Sequence, residues 1–356
     1  MIYIHVPFCH RKCTYCAFFS KVESAKWKVE SYVDALLEEM HQRCGEQAHP
    51  IKTVYFGGGT PSILPLSELE RIVKALHECF DLSQVEEVTL EANPEDLTPD
   101  YLQGLRSLGL FNRLSIGIQS LDDEVLHLLN RRHTAQQAIK AVEDAYRAGF
   151  HNLSVDFIYG IKDLKDFKDL NVLVNHVSAY ALTVEPGTAL AVQVEQGRVE
   201  LPGEEEVVRQ YFATHKMLVA AGFEQYEVSN YCRPGFESKH NSRYWDRTPY
   251  LGLGPGAHSF DGFRRRWNNP DGTFEEETLS GADAFNELVM TSLRTVRGLD
   301  DGRVPAEYKK RLHQKMQPYV DCGWIIVRTE EGGWRYEPTK EGLLHADGMA
   351  ASLFLA

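Results

Sequence analysis

The chain has 356 residues, 43% of them apolar and 25% charged, and a formal charge of −13. That length can bury one large core or two, and no apolar run approaches the ~18 residues of a membrane span. The negative balance excludes nucleic acid as the main partner, since phosphates demand a basic footprint, and with no signal peptide before Tyr3 the expected location is the cytoplasm.

In chain order, strands are predicted at 2–6, 53–57, 87–91, 112–117, 152–158 and 177–183. Amphipathic helices are predicted between them at 26–46, 66–80, 98–107 and 135–148. Strand then helix, about six times over, is the pattern of βα units on a parallel sheet. Such a sheet places its active loops at the carboxyl ends of the strands. The chemistry-bearing residues fall there: Cys9–Cys16 after the first strand, "GGGTP" after the second, "EANP" at the end of the third, "GIQS" after the fourth and Asp156 late in the fifth.

After Pro186 the pattern changes. A helix at about 204–221 leads to "EQYEVSNY", an aromatic cluster "KHNSRYW" and a glycine-rich "GLGPGAHSF". Then come a helix ("FNELVMTSLRT"), a helix at 306–319, a strand ("GWIIVR"), a tight turn, a strand ("WRYEP") and a helix at 340–354. This order resembles a winged helix, and without a basic recognition helix it reads as a docking lid. The expected division is a barrel at 1–186, an extension at 187–283 and a winged-helix-like α+β domain at 284–356. Arg264, Arg265 and Arg266 read as a solvated loop able to pair with carboxylates.

Seven cysteines in a chain this long make no disulfide framework. Cys44, Cys79, Cys232 and Cys322 stand singly, whereas Cys9, Cys13 and Cys16 form C-x3-C-x2-C. Clustered thiolates select zinc or an iron–sulfur cluster. A closed zinc site wants four ligands, and the second cysteine arm is missing. Three ligands on a four-iron cluster would leave one iron open to a substrate or cofactor. A zinc site completed by His5 or His10, or three unrelated thiols, are the alternatives on spacing alone.

"YIHVPFCHRKCTYC" followed by "GGGTP" resembles the radical S-adenosylmethionine (SAM) superfamily. The resemblance implies a partial (β/α)6 TIM-like barrel, a [4Fe–4S] cluster on Cys9, Cys13 and Cys16, and SAM on the open iron. "FGGGTP" would let the backbone approach SAM closely and offer it free N–H groups. "NRLSIGIQSLDDEVLHLLNRRH", "VDFIYGI", "YALTVEPGTAL" and "YLGLGPGAHSF" extend the likeness over the whole chain, to the oxygen-independent coproporphyrinogen III oxidase group. That implies SAM contacts at Tyr3, Tyr15, Gly58, Gly59, Thr60, Glu91, Gln119, Arg131 and Asp156. In the oxidase the last three belong to a second SAM.

Two departures point away from the oxidase: Phe18 stands where its motif has a fourth cysteine, and its N-terminal extension has no counterpart before Tyr3. The heme chaperone branch carries an HNxxYW motif linked to heme, and "HNSRYW" matches it at His240, Asn241, Tyr244 and Trp245. The implied partners are heme and acceptor hemoproteins, with peripheral contact to membrane partners. On the residues alone, an aromatic helix packed on the barrel, with His240 satisfied by hydrogen bonds, is the simpler account. Radical decarboxylation of coproporphyrinogen III remains the enzymatic alternative. The stretches 161–176 and 266–280 are short for the family, and mobile loops are expected there at the mouth of the site.

Overall fold

Alternation within the early strands decides the architecture. In "TVYFGG", "EVTLEA" and "RLSIGIQ" every second residue is apolar and those between are polar, aromatic or glycine. Successive side chains of a strand point to opposite faces, so one face of this sheet must be oily and the other must not. The computed structural model has this form; it describes residues 1–21, 28–47, 49–165, 168–330 and 333–355.

Six parallel strands, β1 (Ile2–Val6), β2 (Thr53–Gly58), β3 (Glu87–Ala92), β4 (Arg113–Gln119), β5 (Leu153–Tyr159) and β6 (His176–Ala181), lie side by side in chain order. Antiparallel β7 (Glu224–Gln225) and β8 (Asn230–Cys232) extend the β6 edge. Parallel β9 (Leu251–Leu253) extends the β1 edge, giving a nine-stranded open barrel. Helices α1 (Val29–Arg43), α2 (Leu66–Cys79), α3 (Pro99–Ser107), α4 (Asp123–Leu128) and α5 (Ala135–Arg147) follow the first four strands. Ile2, Ile4, Val54, Phe56, Val88, Leu90, Leu114, Ile116 and Val155 form one buried core with the apolar stripes of α1, α2 and α5. Thr98 caps α3 ahead of Pro99, and a Thr134–Gln137 capping box starts α5.

The other face is polar. Thr53, Tyr55, Glu87, Thr89, Arg113, Ser115, Ser154, His176 and Ser178 are buried there, where TIM barrels ordinarily pack branched apolar layers. An interior so furnished is built to hold something other than itself.

Beyond α6 (Lys168–Asn171), α7 (Ala189–Glu195) and α8 (Glu204–Ala220), the "KHNSRYW" segment is helix α9 (Lys239–Trp245). The stretch 264–278 is no loop. β11 (Arg264–Asn268) pairs antiparallel with β10 (His258–Phe260) and β12 (Phe274–Thr278), setting Arg265 opposite Glu277 and Arg266 opposite Glu276. Like-with-unlike charge across the strands favours the hairpin, and Arg265 also pairs with Glu287. Of the stretch 161–176, residues 166–167 lie outside the described residues.

A second apolar core unites α10 (Gly281–Leu293), α11 (Ala306–Asp321) and α13 (Ala346–Leu353) with a three-stranded sheet, and α12 (Lys340–Leu344) packs on the sheet's last strand. That sheet comprises β13 (Leu299–Asp300), β14 (Ile325–Glu330) and β15 (Gly333–Pro338), in the order β13-β15-β14. The helix expected at 340–354 breaks at His345, whose ring stacks on Trp324 at 4.0 Å. No helix of the described residues is long and apolar enough to cross a membrane.

Candidate functional site

At the carboxyl ends of β1–β6 opens a cavity of about 500 Å³. Its wall includes Cys9, Cys13, Tyr15, Cys16, Gly58, Gly59, Thr60, Glu91, Gln119, Arg131 and Asp156. Residues spread over 148 positions of sequence meet because each follows or ends its own strand.

The cysteine loop leaves β1 and is latched across the barrel mouth. The Thr14 hydroxyl donates to Leu128 O at 3.0 Å, and the Asn130 amide donates to Lys12 O at 2.9 Å. Inside the loop the Thr60 hydroxyl donates to Cys9 Sγ at 3.4 Å and Arg131 Nη1 to Cys13 Sγ at 3.2 Å. Burial pushes the Cys9 and Cys16 thiols up. Among the described residues no three Cys, His, Asp or Glu side chains converge on one metal ion. Cys9, Cys13 and Cys16 line one wall of the cavity, an all-thiolate donor set. Three soft thiolates with no fourth cysteine beside them fit an iron–sulfur cluster with one open iron, whereas a closed structural zinc site takes four ligands.

Arg131 is the hub of the far wall: Nη2 donates to Asn93 Oδ1 at 2.6 Å and Gly117 O at 2.7 Å. Asn93, in turn, donates to Thr60 Oγ1 at 3.2 Å. Asn93 was not singled out from the sequence, although "EANP" was noted as a strand end. Gln119 has a left-handed φ of 61° where β4 and β5 slip register, a device that turns a side chain into a site.

Of the carboxylates that line the cavity, Glu91 and Asp156 stand on β3 and β5 with no ion-pair partner among the described residues. Glu91 accepts from Tyr55 Oη at 2.7 Å and Gly58 N at 3.3 Å, yet burial, aided by Asp156, raises its pKa to about 7. Burial likewise raises Asp156, which accepts from Ser115 at 3.4 Å. Groups that gain this much from a positive neighbour suit a ligand carrying an ammonium or sulfonium.

The glycine triplet works differently from the expectation. Its N–H groups are not free: Gly58 N donates to Glu91 and Gly59 N to Val6 O at 2.8 Å. The glycines are needed for space. Gly58 has φ +109°, and a Cβ there would lie 2.7 Å from the His5 ring; at Gly59 it would lie 2.5 Å from Phe8 O. A side chain at either position would strain the fold before touching any ligand.

Five expected residues do not reach the cavity. Tyr3 sits one layer lower, because β1 alternation puts His5 above it; its hydroxyl meets His5 Nδ1 at 3.1 Å. His240, Asn241, Tyr244 and Trp245 lie on α9, which packs on β2. His240 is fully buried, with Nδ1 bonded to Thr53 Oγ1 at 2.9 Å and Nε2 to Tyr244 Oη at 3.1 Å. Iron ligation by this imidazole would first require one of those bonds to break. Phe18, by contrast, lines the cavity and is 70% exposed.

Residues 3–173 match the family model of the radical SAM superfamily. The chain is 37% identical over 333 residues to the heme chaperone HemW of Mycobacterium tuberculosis, covering 87% of this chain and 85% of that protein. It is 34% identical to the heme chaperone HemW of Lactococcus lactis subsp. lactis, covering 83% and 82%. In fold it matches the coproporphyrinogen III oxidase HemN of Escherichia coli with a TM-score of 0.83, over 99% of this chain and 89% of that one, at 23% identity. With its sulfur loop, polar barrel and full-length likeness to these proteins, the chain belongs to the radical SAM superfamily and, within it, to the HemW family.

Proposed function

We propose that this protein is a heme chaperone, which binds a [4Fe–4S] cluster and SAM and carries heme to acceptor hemoproteins. The observation that carries the reading is the 37% identity, across 87% of the chain, to a protein named for that activity. Cys9, Cys13 and Cys16 would hold the cluster. When bound, it would supply an open iron for SAM and a one-electron couple.

The remaining work falls to this chain's own groups. Gly58 and Gly59 give the second strand's end room against His5 and Phe8 at the cavity wall, and Thr60 and Arg131 hold two of the sulfurs by hydrogen bonds. Glu91 and Asp156 would face SAM's positive charge. Gln119, Arg131 and Asp156 share one continuous cavity with Glu91, within reach of bound SAM. Phe18 supports the chaperone over the oxidase: an exposed phenylalanine at the mouth can meet a porphyrin face but cannot act as a thiol.

The anaerobic, reconstituted protein given SAM, reductant and coproporphyrinogen III is therefore expected to form no protoporphyrinogen IX, as read by chromatography of the oxidised porphyrins. Stoichiometric conversion would restore the decarboxylase reading.

A further inference from the structure

The barrel has a floor as well as a mouth, and α9 is that floor. The helix is moored to the amino ends of β2 and β3. Glu87, buried at the first position of β3, accepts from the backbone N–H groups of His240 at 2.9 Å and Lys239 at 3.0 Å. Ser238 caps the same helix end by accepting from Asn241 N at 3.3 Å. On β2, Thr53 and Tyr55 point into the barrel two residues apart, and His240 meets both. Its Nδ1 bonds the Thr53 hydroxyl, and its ring packs on Tyr55 with centroids 5.1 Å apart.

From there a continuous column climbs to the cavity. Tyr244 braces His240 from the side away from Thr53, its hydroxyl on Nε2 and its ring edge-on at 5.1 Å, and Tyr250 backs it at 4.8 Å. Tyr3 stacks beside Tyr55 at 6.1 Å. The Tyr55 hydroxyl then donates to Glu91 at 2.7 Å, and Glu91 faces the cavity. The packing leaves no slack: a Cβ on Gly57 would lie 2.9 Å from Tyr55, 3.0 Å from Tyr3 and 3.2 Å from Glu91. Burial holds the His240 imidazole neutral, with a pKa of about 3, so it carries one N–H and one lone pair for its two hydroxyl partners.

We propose that His240 and Tyr244 are positioning residues for SAM: as the floor of the barrel they fix Tyr55, which fixes the Glu91 carboxylate that meets SAM's ammonium. The HNSRYW segment thereby acts on the cofactor site from below and does not supply the iron ligand for heme. This rests on the SAM reading given above. Its consequence is that losing the floor costs SAM affinity and leaves the cluster and heme in place, the reverse of what an axial ligand would show.

The test uses full-length, anaerobically reconstituted protein in three variants, Tyr55→Phe, His240→Leu and His240→Asn. SAM binding is read by calorimetry and by the SAM-induced change in the electron paramagnetic resonance of the reduced cluster; heme binding is read at the Soret band. Tyr55→Phe, which removes a single oxygen, and His240→Leu are expected to weaken SAM binding at least tenfold. Iron content and Soret spectrum should stay at parent values. His240→Asn keeps a hydrogen-bonding group opposite Thr53 and should recover SAM affinity to within about threefold, a rescue that loss of packing alone would not show.

SAM binding by both Tyr55→Phe and His240→Leu within threefold of the parent overturns the proposal. So does loss of the Soret band in either His240 variant with SAM binding unchanged. Should the His240 variants fail to fold, Tyr55→Phe decides alone. A parent chain that binds no SAM overturns the underlying reading instead, and this one with it.

Discussion

Cys13→Ala protein, reconstituted anaerobically with iron and sulfide, should stay colourless and hold less than about one iron per chain, where the parent chain holds about four. Cys13 sits in the middle of the latched loop, and the Arg131 guanidinium donates to its sulfur. Its removal takes away one of three ligands and leaves the half-buried Arg131 guanidinium facing a methyl group. Neither neighbouring thiol can compensate, because each occupies its own part of the wall. Cys232 and Cys322, respectively buried and exposed away from the cavity, should be replaceable by alanine with no loss of iron. A Cys13→Ala chain that keeps its brown absorbance and about four irons would contradict the cluster assignment.

Glu91→Gln should weaken SAM binding at least thirtyfold and, without ligand, make the protein more stable at pH 8. The folded-state pKa of Glu91, about 7, lies above the ordinary 4.5. The folded state therefore binds the proton more tightly than the unfolded one, and the stability this confers is fully present below about pH 4.5 and lost as pH rises through 7. At pH 8 nearly the whole penalty is in force, on the order of 3 kcal/mol. Glutamine avoids it but sets an amide N–H₂ against Gly58 N–H, which returns about 1 kcal/mol. A net gain of about 1–2 kcal/mol at pH 8, and none at pH 4.5, should appear in denaturant unfolding. An equal effect at both pH values would contradict the burial argument. Stability given up to hold a charge for a ligand is common at binding sites.

Much of this was legible because it is written locally. Three thiols after a strand, glycines after the next and carboxylates at strand ends all follow from the rule that parallel sheets bind at their carboxyl edge. The polar barrel interior was equally available, since Glu87, Thr89 and Glu91 alternate with Val88, Leu90 and Ala92. Other features depend on partners remote in sequence. That Gly58 N–H is taken by Glu91 depends on pairing strands whose contacting residues stand 33 positions apart. Arg264–Arg266 read as a solvated loop until Glu277 and Glu276 were placed opposite Arg265 and Arg266. His240 shows the limit from the other side. Its residue type and helical context favoured a satisfied core histidine, the family motif favoured heme, and the hydrogen bonds to Thr53 and Tyr244 agree with the former.

The account stands most directly on an anaerobic heme titration of the reconstituted, SAM-loaded protein, followed at the Soret band. Saturable uptake of about one heme per chain, with cluster absorbance unchanged, is the predicted result; featureless, non-saturating uptake indistinguishable from heme in buffer would contradict it.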